Sequence, residues 1–269
     1  MYSKESQYVY LGMLRITFLG TGTSYGSPVL TSKHEVCFST DYRDSRLRSS
    51  LLIQWNDYNL IIDCGPDFRQ QCLRAKLDRL DALCFTHEHA DHTAGLDDIR
   101  AYNFRQGPMP VYLTKRVLQS LERRYYYIFD ERYRYKGAPK IIPNIVNDLV
   151  PFMLEGKRIL PIGVNHTVVP VIGFRIEDFA YITDIKSIEP KKISYLENLE
   201  VLVLGCIRKE PHPNHLNLQE ALDLIDEIKP KRCYLTHISN LMGFHEKVSL
   251  ELPNNVFLAH DQLKLTVGS

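Results

Sequence analysis

The chain has 269 residues, enough for one layered core near the upper end of domain size. With 33 Lys and Arg against 32 Asp and Glu, its net charge is only +1, and no long block carries one sign, which argues against a surface built for long nucleic acid. No apolar run approaches membrane-spanning length, and the opening Met1-Tyr2-Ser3-Lys4-Glu5-Ser6-Gln7 lacks the cationic start and apolar middle of a signal peptide.

In chain order, residues 1–12 read as an N-terminal extension ahead of Met13, which stands directly before the first strand and offers a second start; the domain is expected over 13–269. Ile16-Thr17-Phe18-Leu19 is an apolar strand running into the turn Gly20-Thr21-Gly22-Thr23-Ser24. Ser50-Leu51-Leu52-Ile53 and Leu60-Ile61-Ile62 follow, the latter ending in Asp63-Cys64-Gly65. Apolar residues spaced three and four apart predict helices over 67–76, 93–104, 115–127 and 217–228. Asn217 suits an N-cap, with Glu220 three residues on, and Pro230 stops that helix. Further strands are expected at Val111-Tyr112-Leu113, Glu200-Val201-Leu202-Val203-Leu204 and Asn255-Val256-Phe257-Leu258, buried between layers of helix. The cysteines Cys37, Cys64, Cys72, Cys84, Cys206 and Cys233 are scattered, several within apolar runs as small core residues, which suggests a reducing compartment, the cytoplasm.

Behind Asp81-Ala82-Leu83-Cys84-Phe85 comes Thr86-His87-Glu88-His89-Ala90-Asp91-His92, a density of ligands with no structural purpose of its own. In extended backbone His87 and His89 point the same way, and Asp91 and His92 follow as the chain bends, so one short loop can serve two neighbouring cations. Imidazole with carboxylate suits zinc, manganese or iron, whereas calcium and magnesium prefer oxygen alone. Later apolar runs end in His166, Asp184 and His237. Singly each is better explained as a hydrogen-bonded loop residue, but with the first cluster they make a complete ligand set.

These residues, with Phe18-Leu19-Gly20-Thr21-Gly22-Thr23-Ser24 and the stretch from Asp41 to Ser50, resemble the metallo-β-lactamase-fold hydrolases with their HxHxDH motif. The likeness covers nearly everything after Met13. It is similar in particular to the cyclic ribose phosphodiesterases of phosphonate breakdown and, more distantly, to the tRNA 3′-processing nucleases. It implies a four-layer αβ/βα sandwich with metals at one edge. It also implies that His87, His89 and His166 hold one divalent ion, zinc or manganese, that Asp91, His92 and His237 hold the second, and that Asp184 bridges them. Two such ions, roughly 3.5–4 Å apart, can share a hydroxide and grip both oxygens of an in-line displacement at phosphorus. Asp63 reads either as a partner that orients a ligand histidine or as a plain turn-former.

The phosphonate-pathway relatives carry C-x-C-x-x-C and a late histidine for a structural zinc; here the positions read Ser32, His34, Cys37 and Asn240, two of them poor ligands. No third zinc is therefore expected. A tetrahedral anomalous-scattering peak there, completed by water or by His245, would overturn that. In Pro211-His212-Pro213-Asn214-His215-Leu216, His215 is expected near the metals as acid to a leaving alkoxide or as phosphate ligand, and His212 as a surface turn residue. His215 and the ligand Asp91 are the candidate catalytic residues. Residues 123–136 interleave Arg with Tyr and Phe: a helix with an aromatic core face and a basic solvated face, a base-stacking lid, or the contact face of a homodimer. Arg46 and Arg48 are candidates for anion binding or for ion pairs with Asp41 and Asp44.

The resulting expectation is a dinuclear metal phosphodiesterase acting on a small cyclic or nucleotide-like phosphate ester. A tRNA 3′-processing nuclease is disfavoured because the chain has no glycine-rich protruding arm and no basic excess. A lactone, lactam or thioester hydrolase would use the same metals on carbonyl carbon. A non-catalytic metal-binding scaffold would be expected to break the ligand set, which is whole here.

Overall fold

Period-two alternation sorts the strand side chains between two faces. In β1 (Leu14–Gly20), Leu14, Ile16 and Phe18 face one way and Leu19 the other; in β2 (Ser50–Trp55), Leu51, Ile53 and Trp55 oppose Leu52. The computed structural model describes residues 12–268, so the reading of 1–12 as an extension lies, all but Gly12, outside the described residues. β1 and β2 join β3 (Tyr58–Ile62), β4 (Ala82–Cys84), β5 (Met109–Leu113), β6 (Ile141–Ile145) and, beside β1, β14 (Lys264–Val267) in one seven-stranded sheet of order β14-β1-β2-β3-β4-β5-β6. β7 (Phe152–Leu154), β8 (Lys157–His166), β9 (Val169–Ile176), β10 (Phe179–Ile182), β11 (Val201–Gly205), β12 (Arg232–Thr236) and β13 (Val256–Leu258) form a second, of order β13-β12-β11-β10-β9-β8-β7. Each sheet is half antiparallel and half parallel: β3 to β6 run parallel in the first, β10 to β13 in the second.

Ile16, Phe18, Ile53 and Ile62 from the first sheet meet Phe174, Phe179, Tyr181 and Val203 from the second in a shared core. Behind the first sheet, Leu52, Ile61 and Leu83 pack on Phe68 and Cys72 of α1 (Phe68–Ala75), on Tyr102 of α3 (Arg100–Gln106) and on Val117 and Leu121 of α4 (Lys115–Arg124). Behind the second, Ala180, Ile182, Leu202 and Leu204 pack on Ala221, Ile225 and Ile228 of α6 (Leu218–Ile228) and on Val248 of α7 (His245–Ser249). Helix, sheet, sheet and helix therefore stack as four layers, the metallo-β-lactamase sandwich architecture. Asn217 caps α6 in a full capping box with Glu220. No helix among the described residues is long and apolar enough to cross a membrane.

Two expected helices are broken. Residues 93–104 divide into α2 (Ala90–Thr93), a 3-10 turn over Leu96–Ile99, and α3. Gly95 lies at the break, pressed against the Gly65 carbonyl oxygen, from which a Cβ would sit only 2.2 Å away. The expected helix over 115–127 stops at Arg124, and α5 (Tyr126–Phe129) restarts after Tyr125 turns away at φ −119, ψ 42.

Arg46 requires a larger correction. Its side chain is only 4% exposed and cannot meet a substrate. Nor does it pair with Asp41 or Asp44. Its guanidinium donates to Thr21 Oγ1 at 2.9 Å, to the Ala259 carbonyl and to His245 Nδ1 at 3.1 Å. Guanidinium has no acceptor, so His245 Nδ1 must accept and the ring must be neutral. Burial, together with the nearby Arg46 charge, holds His245 down to about 3. The unfolded chain takes this proton below about pH 6.5 while the folded chain waits until about 3, so stability is lost as pH falls through that window. Denaturant titrations at pH 7.5 and 5.5 should differ by about 1 kcal/mol less in His245→Asn than in the wild type. An unchanged difference would show that other groups carry the pH dependence.

Candidate metal centre

The carboxyl ends of the parallel strands and the β8–β9 hairpin meet at one edge of the sandwich, where open α/β sheets generally bind ligands. Asp63 follows β3, His87 follows β4, Asp184 follows β10, His237 follows β12, and His166 ends β8. Asp63, Asp184 and His237 all have left-handed backbones, at φ 65, 49 and 57. Such strain in non-glycine residues persists only where the surroundings over-determine it, and it concentrates at functional sites. Gly65 lets the loop carrying Asp91 close over the strand end, since a Cβ there would lie 2.0 Å from the Asp91 carbonyl oxygen.

The side chains converge as the motif anticipates. The His87 ring lies 4.6 Å from His89 and 4.3 Å from His92, and His89 lies 5.4 Å from His166. His92 Nε2 stands 3.2 Å from both Asp91 Oδ2 and Asp184 Oδ2, while His237 Nε2 stands 3.2 Å from Asp184 Oδ1 and 3.6 Å from Asp91 Oδ2. Asp184 also groups with His87 and with His166, so it faces both sets of histidines. Among the described residues, Nε2 of His92 and both ring nitrogens of His237 are buried without a hydrogen-bond partner of good geometry, a costly arrangement for polar atoms unless something binds them. Ligand atoms of His87, His92 and Asp184, of Asp91, His92 and His237, and of His166, Asp184 and His215 each lie within 4.8 Å of one another. Nitrogen-rich groups closed by a carboxylate fit a transition metal.

The electrostatics suit a cation. Burial alone would raise Asp91 and Asp184, yet the imidazoles of His92 and His237 hold both carboxyls far below their usual range. Burial alone would lower His92, yet Asp91, Asp184 and Asp63 push it well above its ordinary value. His87 goes the other way, lowered by burial and by its neighbour His92.

Around this group stand its supports. Asp63 Oδ2 accepts from His92 Nδ1 at 2.7 Å, a contact placed to orient that histidine. His166 Nδ1 donates to the Asn214 carbonyl at 2.8 Å, so the segment carrying His215 also aims His166. That partner is backbone, and no sequence signal marks it. His215 lies 4.5 Å from the His166 ring and 5.0 Å from His237, with Nδ1 3.7 Å from Asp184 Oδ1. His212, read from sequence as a surface turn residue, is half-buried; its ring lies 5.0 Å from His215 and its Nδ1 accepts from Asn214 N.

Arg48 pairs with Asp67 at 3.2 Å and bonds the Ser24 carbonyl, instead of pairing with Asp41 or Asp44; it remains partly open beside Gly65. Asp41 is held by Arg43 at 2.6 Å. The 123–136 segment is not one continuous helix with an aromatic core face. It crosses the segment from Glu88 to Asp97 as a strap, with Arg124 donating to the Glu88 carbonyl, Tyr125 to the Thr93 carbonyl and Tyr127 to Asp97, while Tyr126 and Tyr133 stay exposed. Ser32, His34 and Cys37 make local loop contacts: Ser32 Oγ accepts from His34 N, His34 Nδ1 from Val36 N, and Cys37 Sγ from Val29 N.

The sequence profile of the beta-lactamase superfamily domain matches residues 58–238, and the chain belongs to that superfamily, the hydrolases of the metallo-β-lactamase fold. Within it, the crystal structure of a diphosphatase from the PhnP family is 34% identical, with a TM-score of 0.88 over 95% of this chain and 97% of that one. A Porphyromonas gingivalis protein named octanoyltransferase is 34% identical over 256 residues, covering 94% of this chain and 52% of the relative, so the chain spans about half that protein's length. Ribonuclease Z of Methanosarcina acetivorans is 32% identical over 105 residues, 37% of this chain and 29% of that protein.

Proposed function

We propose that the chain is a dinuclear metal phosphodiesterase acting on a small cyclic or nucleotide-like phosphate ester. The observation that carries the reading is the convergence of His87, His89, Asp91, His92, His166, Asp184 and His237 at one edge, with His215 beside them. His87, His89 and His166 would hold one ion, Asp91, His92 and His237 the other, and Asp184 both. Such ions supply an activated water and positive charge for the phosphoryl oxygens. The chain's own part is orientation and proton handling. Asp63 fixes His92 and the Asn214 carbonyl fixes His166. Burial and His237 hold His215 down to about 3; a phosphate anion arriving beside it favours the protonated ring, which can then hand its proton to the leaving oxygen.

The diphosphatase and ribonuclease names of two relatives support chemistry at phosphorus. The octanoyltransferase name of the third supports a second reading, an acyl substrate attacked at its carbonyl. We place the protein in the cytoplasm, because all its cysteines are free thiols.

The test is elemental analysis followed by a substrate panel with zinc or manganese. Close to two ions per chain are expected, with turnover of bis(p-nitrophenyl) phosphate, a cyclic ribose phosphate or a diphosphate ester. Hydrolysis of lactones or thioesters alone would overturn the reading in favour of the carbonyl-directed one.

A further inference from the structure

Asp63 reaches farther into the metal centre than His92. Its carboxylate also accepts from the Thr86 backbone N–H at 2.9 Å and from the Thr86 hydroxyl at 2.9 and 3.1 Å. That same hydroxyl lies 3.0 Å from His87 Nδ1. All four side chains are fully buried, so water does not compete for these bonds.

A hydroxyl has one hydrogen, and a carboxylate can only accept. Once the Thr86 hydrogen is given to Asp63, the hydroxyl can only accept from His87, which must carry its proton on Nδ1. His92, bonded directly to Asp63, must carry its proton on Nδ1 too. His87 then presents its Nε2 lone pair inward, 2.9 Å from His89 Nδ1, and His92 would do so once a metal displaced its Nε2 proton. We propose that Thr86 is a positioning residue through which one carboxylate, Asp63, sets the tautomer and aim of the inner histidine of each metal group, His92 directly and His87 by relay. The inference rests on the two-metal reading above. Thr86 is placed well for the role: Ile172 N, in β9 of the opposite sheet, donates to its carbonyl at 2.9 Å, so the relay is anchored to both halves of the sandwich.

Metal ligands generally depend on such outer partners for roughly 10–100-fold in affinity. Valine has nearly the shape of threonine without the hydroxyl, so Thr86→Val removes the relay and leaves the direct Asp63–His92 bond. In calorimetric zinc titrations, the wild type should show two binding events. Thr86→Val should weaken one of them by roughly 10–100-fold, Thr86→Ser should restore it, and Asp63→Asn should weaken both. The ring nitrogens supply an independent readout on the zinc-loaded wild type. Long-range nitrogen–proton NMR should find His87 and His92 both protonated at Nδ1, whether or not any variant folds.

A His87 protonated at Nε2 would overturn the relay. So would a wild type with two events and a Thr86→Val variant that keeps both, or weakens both equally. A wild type that binds no zinc would overturn the two-metal reading first and the relay with it, an outcome distinct from the others.

Discussion

Replacing Asp184 by alanine is expected to strip one or both metal ions from the protein while leaving it folded. Its carboxylate reaches both halves of the proposed site: its ligand atom groups with those of His87 and of His166 on one side, and it stands 3.2 Å from His92 Nε2 and 3.2 Å from His237 Nε2 on the other. Burial would raise it, yet the two imidazoles hold it ionised, so its loss removes negative charge from the point where two cations would meet. Activity should fall by more than the roughly 10–100-fold typical of losing an outer partner. The fold should survive because the layers are joined by apolar burial, and each fully buried Ile, Leu or Phe contributes roughly 1.5–3 kcal/mol. Alanine is strained at the left-handed backbone of Asp184, so Asp184→Asn, which tolerates that conformation, is the companion variant. Elemental analysis after dialysis and circular dichroism check both halves of the expectation. Two tightly held metals in a folded Asp184→Ala would remove Asp184 from the ligand set.

The frame and the residues that converge at the candidate site were legible in the sequence because both leave local marks. Strands show alternation, α6 shows its capping box, and the run from His87 to His92 is too dense in ligands for an ordinary turn. What escaped depends on distance or on backbone. Leu96, Ile99 and Tyr102 recur every three residues, which suits an α-helix and a 3-10 turn alike, and only the close approach of Gly95 to Gly65 separates them. Arg46 reads as a surface cation because its acceptor, the Ala259 carbonyl, lies 213 residues away. Asn214 acts through its carbonyl, which any residue could supply. Thr86 adjoins the motif, but its role appears only once Asp63 is folded against it.

The other large effect expected concerns His215, whose proposed part is distinct from that of the proposed metal ligands. Its Nδ1 stands 3.7 Å from Asp184 Oδ1, longer than the contacts His92 and His237 make to the same carboxylate, and its ring lies between His166 and His237 on the edge where substrate would enter. His215→Ala should therefore leave metal content unchanged. Loss of an ion would make His215 a ligand instead, as its closeness to His166 and Asp184 would permit. With metals retained, the leaving group decides its role. Nitrophenolate departs without a proton, whereas a ribose alkoxide needs one, so turnover of bis(p-nitrophenyl) phosphate should fall far less than turnover of an ester with an alkoxide leaving group. The gap should approach the roughly 10²–10⁴ that general acid catalysis supplies. If both substrates lose rate equally, His215 grips the phosphate and does not protonate the leaving oxygen; water at the open edge would then have to supply that proton.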